Sequence, residues 1–332
     1  HDVPPAIGFS DGFAPWGCGN GLNELNITTR PTYVLNDLLT WVKGSHTVKV
    51  GFEYRNIGGN LHNTWLEQGS FQFDRGATGL LGVNSGSPIA SFLLGAVGNG
   101  VMVARETNTE YPRQEAWIFH LGDTWRATDR LTLNYGLRWD YFSPSKEKYN
   151  RLSFFDPHGT NPGAGDRPGR LAFAGTDWGE ASYGAEYPER RFFGAFAPRL
   201  GLTWALGDRT LVRAGWGVFY DRAFYPGWAG GMAQDGFINW VWFGSSLGGL
   251  EPAFLLHEGM PGGWTPPPFI KPDYNNGSDI LYRTLDGNER PRSQQWNLTV
   301  DRELSPGLTL GLAYVASRGT RVPSSNRPLN AL

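Results

Sequence analysis

Side chains able to do chemistry are scattered along this 332-residue chain rather than grouped. The six His (His1, His46, His62, His120, His158 and His257) show no metal-ligand spacing of the H-x-x-x-H kind. No G-x-S-x-G elbow or phosphate-binding loop occurs, and Gly17-Cys-Gly-Asn-Gly21 fails the dinucleotide pattern and reads as a turn. Asp273-Tyr-Asn-Asn-Gly-Ser-Asp279 has the ligand types of a calcium loop, but its Gly comes one position early and no Glu closes it; an Asx-rich turn is the better reading. Glu180, Glu186, Glu189, Asp221 and Asp235 could in principle supply a glycosidase pair, which needs two carboxylates at a set separation. Solvation of surface loops explains them as well. The single Cys, Cys18, excludes an internal disulfide and a Cys-based zinc site. We expect no catalytic residues, no metal and no cofactor.

The remaining candidates are aromatic or cationic. Phe237–Phe243 (FINWVWF) carries Trp240, Trp242 and Phe243, rings that can stack on sugars or partner proteins, or fold over the chain's own surface. Only five of the 29 basic residues are Lys, the rest Arg, the cation suited to ion pairs in polar interiors. A net charge of −2 creates no field for nucleic acid.

What positions these side chains is set by composition and periodicity. The 46 Gly and 23 Pro make up about a fifth of the chain, against a usual ~12%, and argue against a helical protein. An aromatic content of 14% argues against disorder. No run reaches the 18 or more apolar residues of a membrane helix. In Leu131–Tyr141, Leu131, Leu133, Tyr135, Leu137, Trp139 and Tyr141 share one face; Thr132, Asn134, Gly136, Arg138 and Asp140 share the other. The same period of two runs through Val48–Arg55, Trp117–Trp125 (with Asp123 the exception), Arg199–Leu206, Val212–Tyr220, Trp296–Asp301 and Leu308–Tyr314. The chain is all-β.

The strands come in pairs joined by tight links at Lys43–His46, Ala127–Arg130, Gly207-Asp208 and Ser305–Gly307. Between pairs run segments 57–111, 144–191 and 222–291, about 55, 48 and 70 residues long, unusual in compact soluble domains. Strict short–long alternation is the signature of an antiparallel transmembrane β-barrel, with short periplasmic turns and long extracellular loops. Trp41, Trp125 and Trp204 lie near the short turns. Tyr54, Trp117, Trp139, Tyr141, Tyr220, Trp296 and Tyr314 lie toward the long loops, so two membrane-interface girdles flank an aliphatic band. The opposite face would line the lumen with Lys49, Glu53, Arg55, Arg138, Asp140, Arg199, Arg213 and Asp301, and His120 could join it. Mixed signs there suit ion pairing with a plug, or a polar lumen, more than selection of one charge. We expect two further membrane strands within 57–111, near Ser70–Phe73 and Val101–Thr107, with a small helix at 88–95 between them on the periplasmic side. That makes about ten strands. Residues 1–30 are expected to be irregular or a preceding strand, 31–318 the barrel strands with external loops near 57–68, 144–191 and 222–291, and 319–332 the start of a further loop.

Several segments, in this order, resemble the barrel region of TonB-dependent outer-membrane receptors, specifically the Oar-like group. They are Gly51-Phe-Glu-Tyr-Arg55, Gly69-Ser-Phe-Gln-Phe73, Ala90-Ser-Phe-Leu-Leu-Gly95, Gly122-Asp-Thr-Trp-Arg126, Leu131–Trp139, Ala197-Pro-Arg-Leu-Gly201, Gln294-Gln-Trp-Asn-Leu298 and Tyr314-Val-Ala-Ser-Arg-Gly319. The resemblance implies a bacterial outer membrane, a 22-strand barrel, an internal plug and energy from TonB, but names no cargo. The chain shows no plug, no TonB box and no carboxypeptidase-regulatory-like domain. Its tail, Val322–Leu332, does not alternate as a closing strand should, so we expect a fragment of a longer chain. The expected partners are outer-membrane lipid, the rest of the same chain, TonB if full length, and a protein partner at the external loops. The leading function is uptake or passage of a bulky solute. One alternative is a structural or adhesive surface protein docking through its aromatic loops; another is a soluble carbohydrate-active β-protein.

Overall fold

The computed structural model describes residues 4–16, 26–223 and 234–322. The turn expected at 17–21 and the tail from residue 323 lie outside them. Eight long strands form one antiparallel sheet: β1 Thr32–Lys43, β2 His46–Gly58, β3 Pro112–Thr128, β4 Leu131–Phe142, β5 Phe196–Ala205, β6 Thr210–Tyr220, β7 Arg292–Ser305 and β8 Leu308–Thr320. Their order in space is their order in the chain, and the short piece Lys146–Glu147 adds a ninth member beside β3. Gly44, Gly207 and Gly307 take left-handed φ of 58°, 74° and 82° in the short turns, a conformation that costs glycine little and other residues more.

The register places alternate residues as the periodicity requires. Trp117 opposes Tyr54 and Tyr141, Leu121 opposes Val50 and Leu137, and Trp216 opposes Leu200 and Trp296. Followed across the sheet, one row runs from Trp125, beside a short turn, through Leu133, Leu202, Ala214 and Leu298 to Tyr314, well along its strand. Such a stagger is what tilted barrel strands require.

β2 pairs directly with β3, from His46–Trp125 to Gly58–Arg113, which leaves no place for two strands between them. The expectation of about ten membrane strands is therefore corrected to eight among the described residues. Ser70–Phe73 and Asn99–Arg105 belong instead to a four-stranded sheet with Ala6–Phe9 and Ile238–Gly244. Period two reports which face is apolar, not which strand is the neighbour. Four residues are also too short for the roughly 9–11 needed to cross the apolar band. The helix forms at Pro88–Leu93, with the Ser87 hydroxyl capping it. Its Ile89 and Phe92 pack on the core of that smaller sheet (Phe9, Phe71, Phe73, Val97 and Phe254), so it sits with the long loops and not at the short-turn end. β8 runs to Thr320, two residues past the expected limit. A hairpin, Ser153–Asn161 with Arg167–Phe173, organises the second long segment, and Leu171 and Phe173 pack with Phe237 of the third.

Candidate functional site

The two faces of the main sheet differ in kind. On one, Leu39, Trp41, Leu121, Leu137, Leu200, Leu312 and Tyr314 are all exposed, an apolar wall far larger than soluble monomers present to water. Within it Tyr54 and Trp117 meet at 4.6 Å, Trp139 stacks beside Tyr141, and His46 stacks on Trp125 at 5.5 Å. Trp204, Tyr220 and Trp296 fall on the same face. Asp123, the break in the apolar pattern, is held there by His46 Nδ1 at 2.6 Å and by the Tyr135 hydroxyl, which donates to it at 2.7 Å.

Every predicted lumen residue lies on the other face. Arg55 pairs with Glu53, Arg138 with Asp140 at 2.7 Å, and Arg213 with Asp301 at 3.0 Å. Arg199 lies over the Phe219 ring at 4.9 Å. Lys49 shares a registered row with Gly122, Gly136 and Arg199. His120 is on this face too, its ring packed where a side chain on the opposing Gly51 would stand. The structure thus brings these residues together as local pairs along and across strands, not as one cluster.

At the long-loop end the inner face is covered by the chain itself. Asn288 donates to the Phe142 carbonyl at 3.2 Å, and Arg290 donates to the Asp221 carbonyl at 2.5 Å while lying over the Phe142 ring. Nearby, Arg283 grips Glu189 through two bonds of 2.6 and 2.9 Å, with both side chains 1% exposed. Burial pushes the Glu189 carboxyl up against the opposing pull of Arg283. Glu110, between Asn60–Asn63 and β3, is pushed up to about 7 by burial and by Glu147, with Arg105 pulling the other way. Of these only Glu189 was singled out from sequence, as a candidate glycosidase carboxylate, and its burial against Arg283 was not read there, because each of these contacts depends on a partner more than 30 residues away. A lone Arg or Glu in a polar loop carries no local signal of burial.

The aromatic loop is a strand. Ile238–Gly244 pairs with Asn99–Arg105, and Trp240 and Trp242 stack 6.2 Å apart on its exposed side, with Trp65 edge-on to Trp240. Phe243 points the other way, against Phe254 in the core, which removes it from the exposed candidates. Asn276 of the Asx-rich turn exchanges amide bonds with Asn161 at 2.7 and 3.2 Å, and among the described residues no group of three or more acidic, His or Cys side chains could hold a metal.

A meander of long antiparallel strands, apolar on one face, charged on the other, with short turns at one end and folded loops at the other, is a piece of a transmembrane β-barrel wall. In this chain's described residues the wall is open, since β1 and β8 are its two edges. The chain belongs to the outer membrane beta barrel domain family, whose sequence model matches residues 2–332, and its place is the bacterial outer membrane. This sets aside the soluble carbohydrate-active alternative. No curated protein matches it in sequence. Among solved structures it is similar to the ferric-catecholate import receptor Fiu from E. coli K12 (13% identity, 87% of this chain and 31% of that one, TM-score 0.34). It is also similar to the outer membrane transporter YddB from Escherichia coli (10%, 96% and 38%, TM-score 0.34) and to the alcaligin outer-membrane receptor FauA from Bordetella pertussis (11%, 88% and 39%, TM-score 0.29). The chain spans between 31% and 39% of the length of these proteins.

Proposed function

We propose that this chain is part of the wall of a TonB-energised outer-membrane receptor that passes a bulky solute through a polar lumen. The carrying observation is the charged inner face, Lys49, Glu53, Arg55, Arg138, Asp140, Arg199, Arg213 and Asp301, set back to back with the apolar wall. Oppositely charged pairs recur along it, a surface that suits a hydrated path or a docked plug and selects no single charge. The resemblance to Oar-like receptors supports TonB as the energy source and a plug as the inner partner. Two measurements on the full-length protein test this. It should bind the periplasmic domain of its host's TonB, and in planar bilayers it should conduct once urea unfolds the plug. A protein that does neither is not a transporter.

A second reading, adhesion, is favoured by one observation: Trp240 and Trp242 stand side by side on an exposed sheet face among the long loops. Under it, replacing both with Ala abolishes surface attachment and leaves conductance unchanged.

A further inference from the structure

The smaller sheet among the long loops has one face turned away from its core. Phe71, Phe73 and Phe243 point into that core, and alternation sends the residues beside them the other way. On this second face Trp242 opposes Val101, which opposes Ser70. One row further along, Gly244 opposes Asn99, and Asn99 opposes Gln72. Trp242, Gly244, Asn99 and Gln72 are all exposed.

The indoles there are fixed in place. The planes of Trp242 and Trp240 lie within 15° of each other, and Trp65 meets Trp240 edge-on at 5.2 Å. Trp240 therefore backs one side of the Trp242 ring, and the free side looks along the strand over Gly244. Among the described residues, nothing lies within 4 Å of where a Cβ on Gly244 would stand. The missing side chain leaves a notch, with the Trp242 ring as one wall and Asn99 on the adjoining strand. Gln72, its amide laid over Gly8, continues the row. Among the described residues neither the Asn99 nor the Gln72 amide has a hydrogen-bond partner, so both are free to bind.

These side chains select a ligand by their chemistry. None of them is charged, so an ion leaving water for the notch finds no counter-charge, and the complementary ligand is neutral. The electron-rich face of the Trp242 ring attracts slightly positive C–H bonds. A primary amide donates and accepts hydrogen bonds at once, which matches a hydroxyl. A pyranose offers both, with C–H bonds on its face and hydroxyls around its edge. An apolar peptide segment would satisfy the ring but leave the amides unpaired. We infer that Trp242, Gly244, Asn99 and Gln72 form a binding site for a neutral pyranose unit of an extracellular polysaccharide, backed by Trp240 and Trp65. The inference rests on the long loops being external; it names a ligand class for the adhesion reading and does not need transport.

The test is isothermal titration calorimetry of the detergent-purified full-length protein with neutral gluco-, manno- and galacto-oligosaccharides, and with oligogalacturonate as the acidic counterpart. At least one neutral oligosaccharide binds, and binds more tightly than the acidic one. Trp242→Ala lowers its affinity by about tenfold. Gly244→Val, which fills the notch and leaves every Trp in place, does the same. Trp242→Phe recovers part of the loss. Circular dichroism and heat-modifiable gel mobility check the fold, and because the first two variants change the notch in opposite ways, one that fails to fold leaves the other to decide. Binding of no neutral oligosaccharide overturns the site. So does an unchanged affinity in folded Trp242→Ala or Gly244→Val, or tighter binding of oligogalacturonate. Attachment is read separately: blank titrations with attachment lost in the double Trp variant leave adhesion standing through another partner. Oligosaccharide binding with attachment intact in that variant upholds the site and removes only the adhesion reading.

Discussion

The guanidinium carbon of Arg290 lies 4.5 Å from the centroid of the Phe142 ring, and its Nη1 stands 3.9 Å from the Asp140 carboxylate. All three side chains are nearly inaccessible. The contact pins the segment before β7 onto the inner face of β4, so this end of the wall is closed by the chain's own loop.

Removing that cation leaves the buried Asp140 with Arg138 as its partner. Arg290→Ala is therefore expected to destabilise the 284–291 segment by about 3–5 kcal/mol, the usual cost of breaking a buried pair. Hydrogen exchange followed by mass spectrometry should show faster exchange there and at the top of β4, with no change near the short turns.

The assignment of faces makes an asymmetric forecast. Leu121 lies on the outward apolar face and is 55% exposed, while Gln295 lies in the inward row of Arg199 and Gly217. Leu121→Arg should cost about 2–4 kcal/mol if it faces the bilayer core. Gln295→Arg should stay within about 0.5 kcal/mol. Urea unfolding of the full-length protein in lipid vesicles checks both; equal costs would refute the assignment.

Glu110 supplies a pH test. Its carboxyl titrates at about 7 in the folded protein and at 4.5 when unperturbed, so the folded state holds the extra proton between those values. Stability of the surrounding loops should fall as pH rises from about 4.5 to 7 and then level off. Glu110→Gln removes that slope. Its protection against exchange should match the parent near pH 4 and exceed it at pH 8, by up to about 3 kcal/mol.

Two aromatic roles can also be separated. Phe73 is 0% exposed at the centre of the smaller core, whereas Trp242 is 71% exposed. Phe73→Ala should cost about 3–5 kcal/mol in the loop-end unit. Trp242→Ala should change stability by no more than about 0.5 kcal/mol. Limited proteolysis of the long loops reports the difference directly.

The sequence alone determined the all-β class, the paired long strands flanking each short turn, the two faces of each and the placement of short turns and long loops, but it counted two strands too many in the wall. Those features are written locally: alternation needs only neighbours two residues apart, and a turn needs only its own Gly, Asp or Pro. It also placed the charged side chains on one face, because parity along a strand settles that without any partner. The tertiary structure decided what lies next to what. Ser70–Phe73 alternates as a membrane strand would, but only its pairing with Ala6–Phe9 and Asn99–Arg105 shows that it belongs to the loops. Arg283 with Glu189 and Arg290 with Phe142 are joined across separations that no local pattern encodes. Burying such charges is favourable only once folding has brought an opposing group or ring to them, so a reading of residue types in order cannot reveal it.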